Sequence, residues 1–175
     1  MKNFILLLFL LLSARLLSQT VNPNVEFAGN KIQVLQAKEN GTQVTGKLTT
    51  GEIIKTGCDH GACYFRIDYK GRSIEQNIGD AIAKMTIYEY DFGGDGDNEI
   101  VAVNSLFETS YIFIYSYSKG IIKKLFEKEI LFYRIVLKKD HIEYYMPGGL
   151  GQVWNYYQGR FWEMNPVDEK KFIVK

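Results

Sequence analysis

Short turns of the form X-Gly, placed between runs of aromatic and β-branched residues, are the most restrictive feature of this sequence. Asn40-Gly41 separates the runs 32–37 and 42–48, which predicts a hairpin because both central residues of such a turn need positive φ. The other turns of this form are Thr50-Gly51, Lys70-Gly71, Lys119-Gly120 and Gln158-Gly159. Because the runs between them suit a pleated, half-buried surface, we predict an all-β fold of antiparallel hairpins.

The run 111–117 shows the period of two that a strand requires, with aromatic residues at 111, 113, 115 and 117. Ile112 and Ile114 face the other way, so both faces are apolar and the strand is predicted to be central. Further strands are predicted at 130–137 and 142–145. Residues 85–90 are typical of a strand, although 78–85 would also allow two turns of helix.

Three hairpins share one pattern, an aromatic strand, an X-Gly turn and a returning strand. Their turn glycines, Gly71, Gly120 and Gly159, lie 49 and 39 residues apart. Two architectures are compatible with this repeated hairpin pattern. One is a sandwich or open meander barrel, and the alternative is a small propeller-like repeat array, for which about 40 residues per blade allow three or four blades at most.

Residues 1–18 have the pattern of a secretory signal peptide, with Lys2 ahead of the apolar run 4–12 and Ser18 before the predicted cut. The run is shorter than the roughly 20 residues that span a membrane, although an uncleaved anchor is the alternative. We therefore expect a single all-β domain at 19–175, periplasmic or secreted, with no stable membrane span.

Charge excludes one class of partner. The chain has 21 Lys plus Arg and 20 Asp plus Glu, and loss of Lys2 and Arg15 would change the net charge from +1 to 19 − 20 = −1. A nucleic-acid binder usually has a basic excess, so none is expected as a partner.

Cys58 and Cys63 enclose four residues, a spacing too long for a redox C-x-x-C motif and compatible with a small disulfide loop. Two free thiols are one alternative. Zinc bound by Cys58, His60 and Cys63 is another, but a structural zinc site needs a fourth ligand and the sequence offers none nearby.

Residues 91–99 read Asp-Phe-Gly-Gly-Asp-Gly-Asp-Asn-Glu and precede an apolar run. Carboxylates at loop positions 1, 5 and 9, a main-chain carbonyl at position 7 and glycine at position 6 are what Ca²⁺ requires. Ala102 stands where an EF-hand needs its bidentate Glu, and a strand follows instead of a helix. A solvated acidic turn is the alternative.

The stretch 87–103 resembles the calcium loop of FG-GAP or VCBS-type repeats, in which an Asp-rich loop joins two strands. The resemblance implies that Asp91, Asp95 and Glu99 bind calcium through side chains and Asp97 through its main-chain oxygen. Gly93 departs from the family pattern, which has Asp or Asn there. The expected affinity is therefore weak, about 10⁻⁴ to 10⁻³ M. Members of the family mostly act in adhesion and ligand binding, which implies a binding module.

No catalytic motif is present, and the chain is predicted not to be an enzyme. A glycosidase would need two carboxylates across a cleft, for which Glu108, Glu143 and Glu163 are the candidates. His141 is expected to be a surface or half-buried residue. A small extracytoplasmic hydrolase is thus a secondary alternative.

Aromatic residues crowd the C-terminal third around residues 146–152, which are expected to form a loop. Trp154, Tyr156 and Gly149 are the candidate binding residues for a protein or glycan ligand, although most of the aromatic side chains are expected to be core. The function predicted is an exported, non-enzymatic, calcium-binding interaction module. The alternative is a periplasmic inhibitor or immunity-type protein.

Overall fold

The computed structural model describes residues 25–38, 43–59, 62–79, 84–106, 109–131 and 134–164. These residues form strands and turns, which confirms the all-β prediction. The strands are β1 (Val25–Phe27), β2 (Lys31–Lys38), β3 (Val44–Lys47), β4 (Ile53–Asp59), β5 (Ala62–Tyr69), β6 (Arg72–Asn77), β7 (Lys84–Tyr90), β8 (Glu99–Leu106), β9 (Thr109–Ser118), β10 (Ile121–Leu131), β11 (Arg134–Leu137), β12 (His141–Met146), β13 (Gly149–Tyr156) and β14 (Phe161–Met164). The predicted signal peptide and the Asn40-Gly41 turn lie outside the described residues.

The strands form three sheets, each built on a four-stranded meander. The first sheet is β3-β4-β5-β6, the second is β2-β7-β8-β9-β10, and the third is β1-β11-β12-β13-β14. β1 pairs with β11 in parallel, whereas the pairs within the meanders are antiparallel. No sheet closes into a barrel, and the packing is that of a sandwich.

The same turn joins the third and fourth strands of every meander. Lys70-Gly71, Lys119-Gly120 and Gln158-Gly159 all have positive φ at both residues, between 48° and 80°. This is the geometry that matches the right-handed twist of the flanking strands. The shared hairpin pattern in the sequence therefore marks the last hairpin of three successive meanders.

The second sheet lies between the other two and is apolar on both faces. Phe113 and Tyr115 of β9 join the core shared with the first sheet. Ile112 and Ile114 of the same strand join the core shared with the third sheet. Since β9 lies between β8 and β10, the central position predicted for this strand is confirmed.

Two predicted elements need correction. The run 130–137 is not one strand: Ile130 and Leu131 end β10 of the second sheet, and Arg134 begins β11 of the third. The run is mostly apolar because both strands contribute side chains to the core between the second and third sheets, among them Ile130, Ile135 and Leu137. Residues 146–152 are not a loop either, since pairing continues to Met146 and Gly149 and leaves a two-residue turn at 147–148. The strand at 85–90 is confirmed within β7.

Cys58 and Cys63 form a disulfide, as predicted. They face each other across β4 and β5, with a Cα–Cα distance of 4.0 Å. Cys63 is fully buried in the core of the first and second sheets. The disulfide therefore excludes the free-thiol and zinc alternatives.

Removing this disulfide with Cys58→Ala and Cys63→Ala together is expected to lower the free energy of unfolding by about 2 kcal/mol, because the closed loop is short. Urea denaturation would measure the loss, and reduction of the wild-type protein is the matched control that leaves both side chains in place. Identical urea midpoints for the oxidised and reduced wild type would contradict this prediction.

Candidate functional site

The acidic loop, residues 91–99, connects β7 to β8 in the second sheet. Gly93, Gly94 and Gly96 have φ of 90°, 72° and 90°, a region that L side chains rarely adopt. These glycines let the chain turn sharply while Asp91 and Glu99 stay at the ends of the two paired strands.

Gly93 stands where the calcium-loop pattern has Asp or Asn, and the structure gives the reason for glycine. Besides its positive φ, a Cβ at this position would lie 3.2 Å from Cε1 of Tyr156. The Gly93 amide donates a 2.6 Å hydrogen bond to the Lys139 carbonyl. The missing side-chain ligand is therefore a consequence of close packing against the third sheet.

Phe92 anchors the loop in the protein interior. Its side chain is fully buried in the core between the second and third sheets. Its ring centroid lies 4.7 Å from that of Tyr90, 5.1 Å from that of Phe161 and 5.7 Å from that of Tyr156. Phe92, which directly follows Asp91, thus fixes the acidic loop to the third sheet.

Glu99 is only 6% exposed and is hydrogen-bonded through both carboxylate oxygens. Oε2 accepts from the Phe92 amide at 3.0 Å, and Oε1 accepts from the Tyr156 hydroxyl at 2.6 Å. Burial raises the pKa of Glu99 from its ordinary 4.5 to about 7, although these hydrogen bonds act in the opposite direction. Burial, followed by the bond to Glu99, also raises the pKa of Tyr156.

Asp91 is less deeply buried than Glu99 and lacks part of its hydrogen bonding. Its Oδ1 is buried and accepts no hydrogen bond from any residue that the structure describes. Its Oδ2 lies 3.8 Å from Nζ of Lys139. Buried polar atoms are nearly always paired in proteins, so Asp91 Oδ1 is an oxygen open to a further partner.

Asp95 and Asp97 form the exposed tip of the acidic loop. Oδ1 of Asp95 accepts a 3.0 Å hydrogen bond from the Asp97 amide. Exposed side chains change rotamer on the picosecond to nanosecond scale, so these carboxylates can sample other orientations.

A second buried acid, which the sequence analysis missed, ties this region to the first sheet. Glu89 is 3% exposed and accepts two hydrogen bonds from Thr49, one from its amide at 2.9 Å and one from its hydroxyl at 2.8 Å. Asn98 of the acidic loop also reaches the Thr49 hydroxyl, at 3.4 Å. The sequence signal was an acidic residue between Tyr88 and Tyr90 in a strand rich in apolar and aromatic residues.

The acidic loop therefore contacts both neighbours of the second sheet. Tyr156 and Lys139 bind it on the side of the third sheet, and Thr49 binds it on the side of the first sheet. Its conformation is coupled to the packing of all three sheets.

The three residues predicted to bind a ligand do not share a surface. Trp154 is 8% exposed and packs on Phe126, with ring centroids 5.1 Å apart. Tyr156 belongs to the acidic loop site. Gly149 lies in the tight hairpin between β12 and β13. Trp154 is buried in the core between the second and third sheets, whereas Gly149 is exposed beside the turn, so the residues occupy different environments.

The glutamates proposed for a hydrolase do not converge where the structure describes them. Glu143 of β12 is paired with Val153 of β13, and Val153 is paired with Met164 of β14, so these three side chains point to the same side of the third sheet. Glu163 is the neighbour of Met164 and therefore faces the opposite side of the third sheet. Glu108 lies outside the described residues.

Glu143 is also held in its ionised form. Burial raises its pKa, but hydrogen bonds from Lys138, His141 and Tyr145 outweigh burial and lower the pKa below its ordinary range. A glycosidase acid needs a raised pKa instead. His141 is half-buried, and its Nδ1 lies 2.6 Å from Oδ1 of Asp140.

Comparison with known proteins gives no match, whether to a family model, to a curated protein or to a solved structure. Over the described ranges, no three His, Cys, Asp or Glu side chains are grouped so that they could hold a metal ion as they stand. No helix among the same residues has the length and apolar character needed to cross a membrane.

Proposed function

We propose that this protein is an exported, non-catalytic binding module whose acidic loop binds Ca²⁺ weakly and thereby stabilises the junction of the three sheets. The observation that supports this most is the position of the loop, which holds Glu99 against Tyr156 of the third sheet while Asn98 reaches Thr49 of the first. Four carboxylates within one short loop attract cations, and Nζ of Lys139 already lies 3.8 Å from Asp91.

The residues fit a weak calcium site and not a strong one. Asp91 offers a buried oxygen with no described partner, and Asp95 and Asp97 are exposed side chains on a glycine-rich turn. Both oxygens of Glu99 already accept one hydrogen bond each, so an ion would compete for their remaining lone pairs. Binding would require Asp95 to turn inward, which costs part of the affinity.

Calcium at 10 mM is expected to stabilise the protein by about 1.4 to 2.7 kcal/mol if the dissociation constant is about 10⁻³ to 10⁻⁴ M. For a chain of this size, that corresponds to a rise in melting temperature of roughly 3–10 °C relative to EDTA. Differential scanning calorimetry at pH 8 would measure the shift, since Glu99 is ionised there.

Asp95→Ala is expected to remove the calcium response without a large change in the EDTA baseline, because Asp95 is exposed. Glu75→Gln is the matched control, an exposed acid on the first sheet that pairs with Arg66. The Glu75→Gln variant should keep the full rise in melting temperature on addition of calcium. An equal response in the Asp95→Ala variant, or none in the wild type, would remove calcium from the proposal.

The disulfide supports export, because such bonds persist in oxidising compartments. We therefore assign the protein to the periplasm or the extracellular space. The ligand in this proposal is a protein or a glycan.

A second candidate, an inhibitor or immunity-type protein, is favoured by one observation. Tyr157 and Trp162 are 65% and 55% exposed on the β13–β14 hairpin, at the edge of the third sheet. Exposed aromatic residues are frequent anchors of protein interfaces. Inhibition of a secreted enzyme that a Trp162→Ala variant loses would favour this candidate over an adhesion or ligand-binding role.

A further inference from the structure

A pocket of about 500 Å³ opens between the first and second sheets, at a site separate from the acidic loop. Its walls come from the end of β6 and the two residues after it, from β8 and β9, and from β10. The volume falls within the range of small-molecule sites, roughly 300–1,000 Å³.

The pocket exists because the first sheet covers only part of β9. Phe65 of the first sheet packs edge-on against Tyr115, with ring centroids 5.0 Å apart. Further along the same face of β9, Phe113 and Tyr111 line the pocket instead. Their rings are nearly parallel, with centroids 6.4 Å apart and an interplanar angle of 21°. Tyr111 is half-buried and presents its ring to the pocket, whereas Phe113 and Ile78 are buried behind it, so the aromatic surface open to a ligand is mainly that of Tyr111.

The wall opposite β9 is held by hydrogen bonds within the protein. Cys63 donates to the Gly79 carbonyl at 2.6 Å and accepts from the Ile78 amide at 2.9 Å. The Asn77 side chain accepts from the Gly79 amide at 2.9 Å. These hydrogen bonds hold residues 77–79, and strand pairing holds β9, so the pocket is preformed. A ligand would therefore bind with a small loss of conformational entropy.

Two groups of opposite charge lie at the rim of the pocket. Lys124 and Glu127 pair with each other and are 52% and 46% exposed. Their charges cancel, so the site does not select an anion or a cation. A sugar hydroxyl both donates and accepts hydrogen bonds, so it can bind an ammonium and a carboxylate at once without leaving either charge unpaired.

We propose that this pocket binds a neutral pyranose unit of a glycan, with its C–H face against Tyr111 and its hydroxyls on Lys124 and Glu127. Aromatic rings supply apolar contact area, and the rim supplies donors and acceptors at one edge of that area. The proposal rests on the proposed binding function, whose ligand class it names, and is independent of the calcium site.

The test is an amide chemical-shift titration of the full-length labelled protein. The probes are methyl β-glucopyranoside, methyl α-mannopyranoside, methyl β-galactopyranoside and N-acetylglucosamine, with L-phenylalanine as a zwitterionic comparison. At least one sugar is expected to give saturable shifts at the amides of Gly79, Leu106 and Phe113, with a dissociation constant of about 1 mM. The shifts should persist in EDTA, so the outcome does not depend on calcium binding.

Tyr111→Ala is expected to weaken sugar binding by about tenfold or more, since Tyr111 supplies the exposed aromatic surface of the pocket. The double variant Lys124→Ala and Glu127→Ala should weaken it similarly, because it removes the donors and acceptors at the rim, and it leaves the core untouched, which guards against a misfolded Tyr111 variant. Ile32→Ala is the matched control, an exposed apolar side chain on β2 at the other edge of the second sheet, and should bind as the wild type does. No saturable shift with any sugar, shifts with L-phenylalanine alone, or sugar binding that survives both pocket variants would overturn the proposal.

Discussion

Replacing Phe92 with alanine is expected to lower the free energy of unfolding by about 3–5 kcal/mol. The side chain is fully buried, and its ring contacts Tyr90, Tyr156 and Phe161. Truncation would leave a cavity between the second and third sheets and would release the acidic loop from its anchor. Urea denaturation monitored by tryptophan fluorescence would measure the loss.

A control for this substitution is Tyr157→Ala, which removes an aromatic ring that is 65% exposed on the same side of the protein. Exposed substitutions usually change stability by about 0.5 kcal/mol or less. If Phe92→Ala cost less than about 1 kcal/mol, Phe92 would not be the anchor that we describe.

Glu99 is expected to make the protein less stable as the pH rises, when calcium is removed with EDTA. Its folded-state pKa is about 7 because of burial, above the ordinary 4.5 that applies in the unfolded chain. The folded state therefore binds a proton more tightly. The contribution to stability is fully present below about pH 4.5 and is lost as the pH rises through about 7, with a size of up to about 3 kcal/mol.

Glu99→Gln isolates this effect, because glutamine cannot ionise. The difference in unfolding free energy between wild type and variant, measured in EDTA from pH 4.5 to 8, should move in favour of the variant as the pH rises. Other titrating groups are common to both proteins and cancel in the difference. Parallel pH profiles for the two proteins would show that Glu99 does not titrate in this range.

Local patterns predicted several of the strands and three of the turns that join them. The period of two at 111–117 gave β9 and its central position, because apolar residues on both faces leave no side for water. Lys70-Gly71, Lys119-Gly120 and Gln158-Gly159 marked the third turn of each meander, since glycine takes positive φ without a steric cost.

The same reasoning gave a wrong prediction for two glycines further along the chain. Gly149 and Gly151 were interpreted as parts of a loop, but both lie in β13. A Cβ at residue 151 would meet the end of the exposed Met146 side chain, which places this glycine at a close approach within a hairpin and not in a loop. Local composition does not distinguish a glycine in a loop from one in a strand.

The sequence predicted only the part of the candidate site whose residues lie close together along the chain. The acidic residues of the loop were identified from their spacing, whereas the partners of Glu89 and Glu99 were not. Thr49 is 40 residues from Glu89, and Tyr156 is 57 residues from Glu99. These contacts depend on how the three sheets stack, which no local pattern encodes.

Tyr156 is the clearest example of this limit. The sequence suggested Tyr156 as part of a ligand surface and Glu99 as part of a separate ion loop. Their 2.6 Å hydrogen bond makes them one site, and the close approach of the Tyr156 ring also accounts for glycine at position 93.

Amide hydrogen exchange with and without calcium tests most directly whether an ion at the acidic loop stabilises the junction of the sheets. The informative amides are those of Thr49, Phe92 and Gly93, which donate to Glu89, Glu99 and Lys139 respectively. With 10 mM calcium we expect slower exchange at all three in the wild type, and no change in the Asp95→Ala variant. Unchanged exchange at Thr49, Phe92 and Gly93 in the wild type would contradict the account.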